Sequence, residues 1–496
     1  MDLRSGRRLG SRPLLQQREQ RRRRGPGGAD RISFLSNDMI LLILARLHCV
    51  GTAVRTGVLS RRWRGLWTLL SDLAFRGIYP TTIEAAFSSF NATSSAGAVS
   101  QLDIHLPTRP EAADANSLLR AAALFSPARL VFTIAPAYVS EPGQHYTSSI
   151  HLPCFQHTTS IELDAQRFTV EPLAAGEFPA LERLSISGTI VYIGDLVTRC
   201  PRLRVLKAKL RGLGHLLLKQ ELGSLKDALG SRGVALYLDI CIYVRTPTVS
   251  LLSEAADLSP QELVYTNTCS THVWAQTRNL PCIPRATSIE IDMAAISFRR
   301  PSHGELSALE RLCLSRCNIL NLAELVSCCP RLRVLRVDGD TSRRDITVHS
   351  TSLQELVLGT YQDCRGVNVV TPELKQLTLD VRSDQDLGTS VLAPLLENIS
   401  WQRSYTWPAH VFNFWFLESM SLQTAAINGK DGAWLSAQQL PRTHVLSMAM
   451  RASVSSRSLL VQLTNFISYL VNWWSYALGI LLSRVPGLQD STLRER

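Results

Sequence analysis

Four thiols come closest to a chemical cluster in this chain: Cys313, Cys317, Cys328 and Cys329. A structural zinc site needs cysteine pairs at ribbon or finger spacing, completed by a second pair of cysteines or histidines. These pairs have the wrong spacing and no histidine pair completes them, so buried apolar cysteine is the expectation. The eleven histidines are scattered, with no partnered carboxylate at helical spacing. There is no phosphate-binding glycine loop, no dinucleotide fingerprint, no His-Glu-x-x-His and no nucleophile elbow. Gly212-Leu213-Gly214 reads as a turn rather than half a nucleotide site. The residues therefore point to no catalytic group, no metal and no cofactor. The chemistry to look for is recognition.

The elements that would carry recognition are set by composition and period. The chain has 496 residues, 45% hydrophobic and 19% charged, enough for a large core and more than one domain. Its formal net charge is +12. Half of that lies in the first thirty residues, where nine arginines face Asp2, Glu19 and Asp30. The remainder is only mildly basic, which argues against a nucleic-acid partner for the folded part. The run Arg21-Arg22-Arg23-Arg24, with Arg7-Arg8 upstream, repels itself and has little to bury, so residues 1–29 read as a disordered tail. That tail is either a solvated leader or a nuclear import signal. The cysteine count of eleven is odd, and the arginine-rich start lacks a signal-peptide apolar core. Reduced thiols, in nucleus or cytoplasm, are expected.

A Leu-x-x-Leu-x-Leu phrase recurs through the C-terminal half. It reads Leu309-Leu312-Leu314, Leu332-Leu335-Val337, Leu353-Leu356-Leu358, Leu374-Leu377-Leu379, Leu396-Ile399-Trp401 and Leu417-Met420-Leu422, in steps of 21 to 23 residues. That is the period of leucine-rich repeats, in which each phrase is a short strand. A longer echo runs beneath it at a shift of 128. Leu152-Pro153-Cys154-Phe155 returns as Leu280-Pro281-Cys282-Ile283, and Ala180-Leu181-Glu182-Arg183-Leu184 as Ala308-Leu309-Glu310-Arg311-Leu312. After one inserted residue, Cys200-Pro201-Arg202-Leu203-Arg204 returns as Cys329-Pro330-Arg331-Leu332-Arg333. The reading is an α/β solenoid over 76–457, an irregular leucine-rich-repeat arc with a block duplicated at about 98–210 and 234–339. The link from Arg211 to Gly233 is helix-prone and is expected to interrupt the register. Repeats of this kind bury their leucines and expose a row of strand side chains for binding. Here that row would include Glu182, Arg183, Arg204, Glu310, Arg311, Arg333 and Gln354, with the four arginines as candidate substrate contacts.

Ahead of the repeats, residues 30–75 carry three helical signals. Ser36 can cap a first helix with Asn37 and Asp38 in its first turn, followed by Ile40, Leu41, Ile43, Leu44 and Leu47. A short second helix covers Thr52 to Val58. Ser60 is expected to cap a third, with Trp63, Leu66, Trp67 and Leu70 at spacings of three and four. So small a unit cannot hide two tryptophans and a leucine face, and a partner should cover the excess. The strings Asp30-Arg31-Ile32-Ser33-Phe34-Leu35, Ile40-Leu41-Leu42-Ile43-Leu44-Ala45-Arg46-Leu47 and Val58-Leu59-Ser60-Arg61-Arg62-Trp63-Arg64-Gly65-Leu66-Trp67 resemble the F-box of plant F-box/leucine-rich-repeat proteins. The chain departs from that pattern at Ser36, where the family usually has proline. The resemblance implies a non-catalytic adaptor subunit that docks the Skp-type adaptor and cullin of an SCF-type ubiquitin ligase. It places docking on Leu35, Ile40, Leu44, Leu47, Val58, Leu59, Trp63, Leu66 and Trp67, and a protein substrate on the repeats.

Near the C-terminus no charged residue stands between Arg457 and Arg484. The stretch is long enough for a membrane span at about 20 residues. A polar stripe of Gln462, Asn465, Ser468, Asn472, Ser475 and Gly479 favours instead a helix over 458–483 that caps the last repeat, followed by a tail at 484–496. A non-degradative scaffold and a membrane-tethered repeat protein stand as the alternatives.

Overall fold

The computed structural model describes residues 35–93, 99–107, 110–135, 148–173, 176–230, 232–242, 249–268, 276–294, 296–302, 304–341, 345–382, 388–412, 415–426 and 442–452. The expected tail at 1–29, the start of the helical module and the expected capping helix at 458–483 lie outside the described residues, as does 484–496.

Helix α1 (Asn37–Ala45) begins where the sequence places it. The Ser36 hydroxyl accepts a hydrogen bond from the Met39 amide at 3.3 Å, and Asp38 sits in the first turn. Helix α2 spans Val50–Arg55. The expected third helix does not form. Ser60 makes no side-chain cap, and two 3-10 turns, Arg61–Trp63 and Leu66–Leu69, are separated by Gly65 at φ +80°. Left-handed backbone at Gly65 cuts the segment into pieces too short to nucleate an α-helix.

The chain then builds one long sheet. Its main strands are β1 (Asp72–Arg76), β2 (Gln101–Leu106), β3 (Arg129–Ile134), β5 (Ser160–Pro172), β6 (Arg183–Ile190), β7 (Val205–Arg211), β8 (Ala235–Ile242) and β9 (Glu262–Asn267). It continues through β11 (Ser288–Met293), β13 (Arg311–Ile319), β14 (Val334–Thr341), β16 (Glu355–Asp363), β18 (Gln376–Arg382) and β20 (Asn398–Phe412). Each pairs in parallel with the next. Short side strands β4 (Ser149–Leu152), β10 (Gln276–Asn279) and β12 (Ile296–Arg299) extend it locally. In the later repeats Leu312, Leu335, Leu356, Leu377 and Ile399 stand opposite one another. The first four are at most 1% exposed. The leucine-rich solenoid is thus a ladder of like residues sealed on one side of the sheet.

What lies behind that ladder changes along the chain. Helices return the chain early: α3 (Pro80–Thr93), α4 (Ala112–Phe125), α5 (Ile193–Thr198), α6 (His215–Leu229), α7 (Val249–Asp257) and α8 (Leu322–Ser327). Later, β15 (Asp345–His349), β17 (Gly366–Val370) and β19 (Gly388–Leu392) form a second parallel sheet. These return segments alternate apolar and polar residues, and only Cys364 and Arg365 separate β16 from β17. A five-residue return reaches along the repeat only when extended, at roughly 3.3 Å per residue rather than 1.5 Å.

The structure corrects three expectations. The sheet does not pause at 211–233, because α6 is the return helix of an ordinary repeat and β7 pairs with β8 from Val205–Ala235 through Arg211–Cys241. The phrase at Leu417 is not a sixth parallel repeat. It lies on β21 (Trp415–Ala426), which pairs antiparallel with β20 and with β22 (Arg442–Ala452). Only residues 413 and 414 separate β20 from β21, and so short a link permits a hairpin but no parallel crossover. Finally, β1 starts inside the span expected for the helical module, and module and repeats share one apolar core.

Equivalent positions of the sequence echo share local geometry. Gly176 and Gly304, 128 residues apart, both have positive φ and both leave room for a thiol, of Cys154 and Cys282 respectively. Ser126 and Ser259 both end a helix-to-strand turn at positive φ. Cys200 and Cys329 both turn their Sγ onto the carbonyl four residues back.

Candidate functional site

Two surfaces of different chemistry follow from this architecture. The first is the helical module. Ile40, Leu44, Trp63 and Trp67 are buried, in the same core as Leu73 and Phe75 of β1. Leu35, Leu47 and Leu66 are half-buried against that core. Of the nine residues that the F-box resemblance implicates, only Val58 (87% exposed) and Leu59 (63%) lie fully open. Arg62 Nε donates to Asn37 Oδ1 at 2.9 Å, and Arg64 Nε to the Gly57 carbonyl at 3.3 Å, tying the three helical pieces together.

Sequence reasoning set Ile43 on one broad face with Ile40 and Leu44, read Val54 as displayed, and missed Met39 and Leu42 as outward-facing apolar residues. Met39, Leu42 and Ile43 stand at i, i+3 and i+4 on α1, opposite Ile40 and Leu44, and Val54 joins them from α2. The signal was present. Every residue of α1 after Asp38 is apolar, and a helix with one buried face needs no second apolar face.

The second surface is the open face of the sheet, built from alternate strand positions. Arg183 and Arg311 lie on it, at equivalent places in the two copies. Arg204 and Arg333 do not. Each sits one residue before its strand, its amide donating to the carbonyl of Glu182 or Glu310, on the rim where the strands begin. A hollow of about 540 Å³ opens on that rim beside Glu182, Arg204 and Arg232. A smaller one, about 260 Å³, lies on the open face between Arg129, Arg183 and Lys207, with Ser160, Glu162 and Ser185 on its floor. Lys207 lies 5.1 Å from the centre of the Tyr237 ring. The period-two rule would have found Lys207 and Lys209 from the buried Leu206, Ala208 and Leu210 between and beside them.

The four clustered cysteines form no such surface. Cys317 and Cys329 are buried, and burial pushes each thiol up to about 12. Burial raises Cys313 as well. A thiol held protonated is a poor metal ligand. Among the described residues no group of three His, Cys, Asp or Glu side chains is placed to hold a metal ion. Among those residues, too, no helix is long and apolar enough to cross a membrane.

Comparison with known proteins bears on this geometry in one limited way. Over 61 residues the chain is 43% identical to an F-box/FBD/LRR-repeat protein of Arabidopsis thaliana, a match covering 12% of this chain and 14% of that relative. No family model and no solved structure matches the chain.

Proposed function

We propose that this chain is the substrate-recognition subunit of an SCF-type ubiquitin ligase. In this reading the helical module is an F-box that docks a Skp-type adaptor and, through it, a cullin. The repeat sheet holds the target protein, and ubiquitin transfer is left to other subunits. The chain would work in the nucleus or cytoplasm.

The observation that carries the reading is that Met39, Leu42, Ile43, Val58 and Leu59 stay exposed on a module whose Ile40, Leu44, Trp63 and Trp67 are already buried in the core it shares with the repeats. Apolar patches of this kind on a folded unit mark a protein interface. Arg61 and Arg64, exposed a few residues after Leu59 in the chain, suit a partner with an apolar centre and an acidic rim. The partial likeness to an F-box/LRR-repeat protein supports the same assignment. The core residues Ile40, Leu44, Trp63 and Trp67 act in docking by holding those exposed residues in place.

The test is co-purification of adaptor and cullin with the full chain and with a Val58→Asp/Leu59→Asp double variant. Both positions are exposed, so the variant keeps its fold while charge enters the interface centre. Adaptor and cullin should be recovered together with the wild type and lost with the variant. Equal recovery from both proteins removes the docking assignment. Recovery of adaptor without cullin from the wild type replaces the ligase with a scaffold.

A further inference from the structure

The open face of the sheet carries its charges in a pattern that the sequence order conceals. Four ion pairs there neutralise themselves: Arg129–Glu162, Arg211–Asp239, Arg316–Asp292 and Arg336–Glu355. Once these are set aside, Arg183, Lys207 and Lys209 lie on β6 and β7, engaged in no ion pair among the described residues. On β9 to β18 the remaining acids are Glu262, Glu290, Asp338 and Asp380, also without ion pairs. Asp164 in the first half, and Arg311 and Arg382 in the second, reduce the contrast without reversing it. The register aligns two of these acids: Asp338 and Asp380 flank Gly359 in one row.

Gly359 lies between these two acids, at the end of the face opposite the lysines. A Cβ at that position would lie 2.9 Å from Asp338 Oδ1, so the absence of a side chain at Gly359 lets the Asp338 carboxylate lean over it toward Asp380. Partial burial and its neighbour Asp338 raise the pKa of Asp380, the behaviour of an acid held near like charge without a counter-ion. At the other end, the hollow by Arg183 and Lys207 offers the Ser160 and Ser185 side chains beside two cations.

We propose that the open face holds an extended segment of a partner protein with segregated charge, acidic residues over β6–β7 and basic residues over β14–β18. This rests on the reading of the sheet as the capture surface, and it is independent of adaptor docking. Seven strand steps separate β7 from β18, roughly 34 Å at about 4.8 Å per step. An extended segment of about ten residues covers that distance at roughly 3.3 Å per residue. Opposed charge at both ends also fixes the direction in which a segment lies, which a face of one sign cannot do.

The experiment uses the full chain and fluorescein-labelled ten-residue peptides in an anisotropy titration at low and physiological salt. One peptide has three glutamates at one end and three lysines at the other. A second has the same composition in alternating order. The segregated peptide should bind at least tenfold more tightly than the alternating one, with an affinity that falls as salt rises. Lys207→Glu/Lys209→Glu and Asp338→Lys/Asp380→Lys should each reduce its binding tenfold or more. Combining all four reversals should restore it, because the peptide can lie the other way round.

Circular dichroism and the thermal midpoint check that these exposed substitutions leave the fold intact. Equal binding of the two peptides overturns the proposal, as does indifference to the reversals. It also fails if a ten-nucleotide single-stranded RNA displaces the peptide and its own binding depends on Lys207 and Lys209 alone. Adaptor co-purification with the same variants separates the two readings. Retained adaptor with lost peptide binding supports the capture face, and lost adaptor with retained peptide binding faults only the docking assignment.

Discussion

The helical module and the repeat sheet expose opposite chemistry from a single shared core. The module turns Val58, Leu59 and Leu42 outward, each more than half exposed, while the sheet seals its leucines and turns charge outward. An apolar face binds strongly and discriminates little, which suits a constant partner. A charged face contributes specificity and orientation more than raw affinity, which suits choice among targets. The difference teaches that two surfaces of opposite chemistry can share one core and, under the proposed function, be altered separately, provided substitutions stay on the surface.

The sharpest way to break that separation is from the core. Trp63 is 6% exposed and packs in the cluster that includes Leu73 and Phe75 of β1. Trp63→Ala should cost about 3–5 kcal/mol and lower the denaturation midpoint of the first repeats along with the module. Hydrogen exchange that stays unchanged in β1 and β2 would mean that the two regions fold independently.

A smaller effect is expected inside the repeats, where the duplicated copies solve one problem differently. The start of α5 has no cap of its own, since Tyr192 stands there in left-handed backbone. Instead Glu221, on α6 and 3% exposed, accepts the amides of Tyr192 and Ile193 at 2.9 Å each. In the second copy Asn321 caps α8 itself, its Oδ1 accepting from the Glu324 amide. Glu221→Ala leaves two amides unpaired and should cost about 2–3 kcal/mol, whereas Asn321→Ala should cost about 1 kcal/mol. Equal losses in chemical denaturation would show that the remote carboxylate adds nothing over a local cap.

At about the same scale, Ser36→Ala should cost about 1 kcal/mol by removing the bond to Met39. Ser36→Pro should fold, because Ser36 already has φ −66°, the angle the ring imposes.

The smallest effect leaves stability untouched and compares the regions by thiol chemistry. Cys200, Cys317 and Cys329 in the repeats are held at about 12 by burial, so at pH 8 only roughly one molecule in ten thousand carries each thiolate. Partial burial would raise Cys49 in the module too, but backbone N–H groups of Arg76, Thr52 and Gly51 bring it below the ordinary thiol range. Mass-resolved alkylation at pH 8 should label Cys49 well before those three. Their labelling should rise as pH climbs toward 12, and labelling of Cys317 together with Cys49 would mean that the repeat core opens readily.

Much of this molecule is written in local pattern. The 21-to-23-residue step placed Leu312, Leu335, Leu356 and Leu377 on the inner side, and the 128-residue echo located the two copies. Ser36 announced its own helix. These features depend on residues a few positions apart, or on repetition, and both can be read from one dimension.

Tertiary structure decided the rest, because the deciding neighbours are far apart in the chain. Which apolar residues of the module face outward depends on the core it shares with the repeats, so the docking residues implied by resemblance divide into four that are buried, three half-buried and two fully exposed. The pairing of β20 with β21 turned on a two-residue link that repeat counting alone could not weigh. Glu221 caps a helix 28 residues away, across a packed pair of helices. The segregation of charge arises because the ladder sets residues some twenty to thirty positions apart side by side, so that Lys207 and Asp380 come to mark two ends of one face. Periodicity determines which side of a strand a residue takes. Only the register between strands determines its company there.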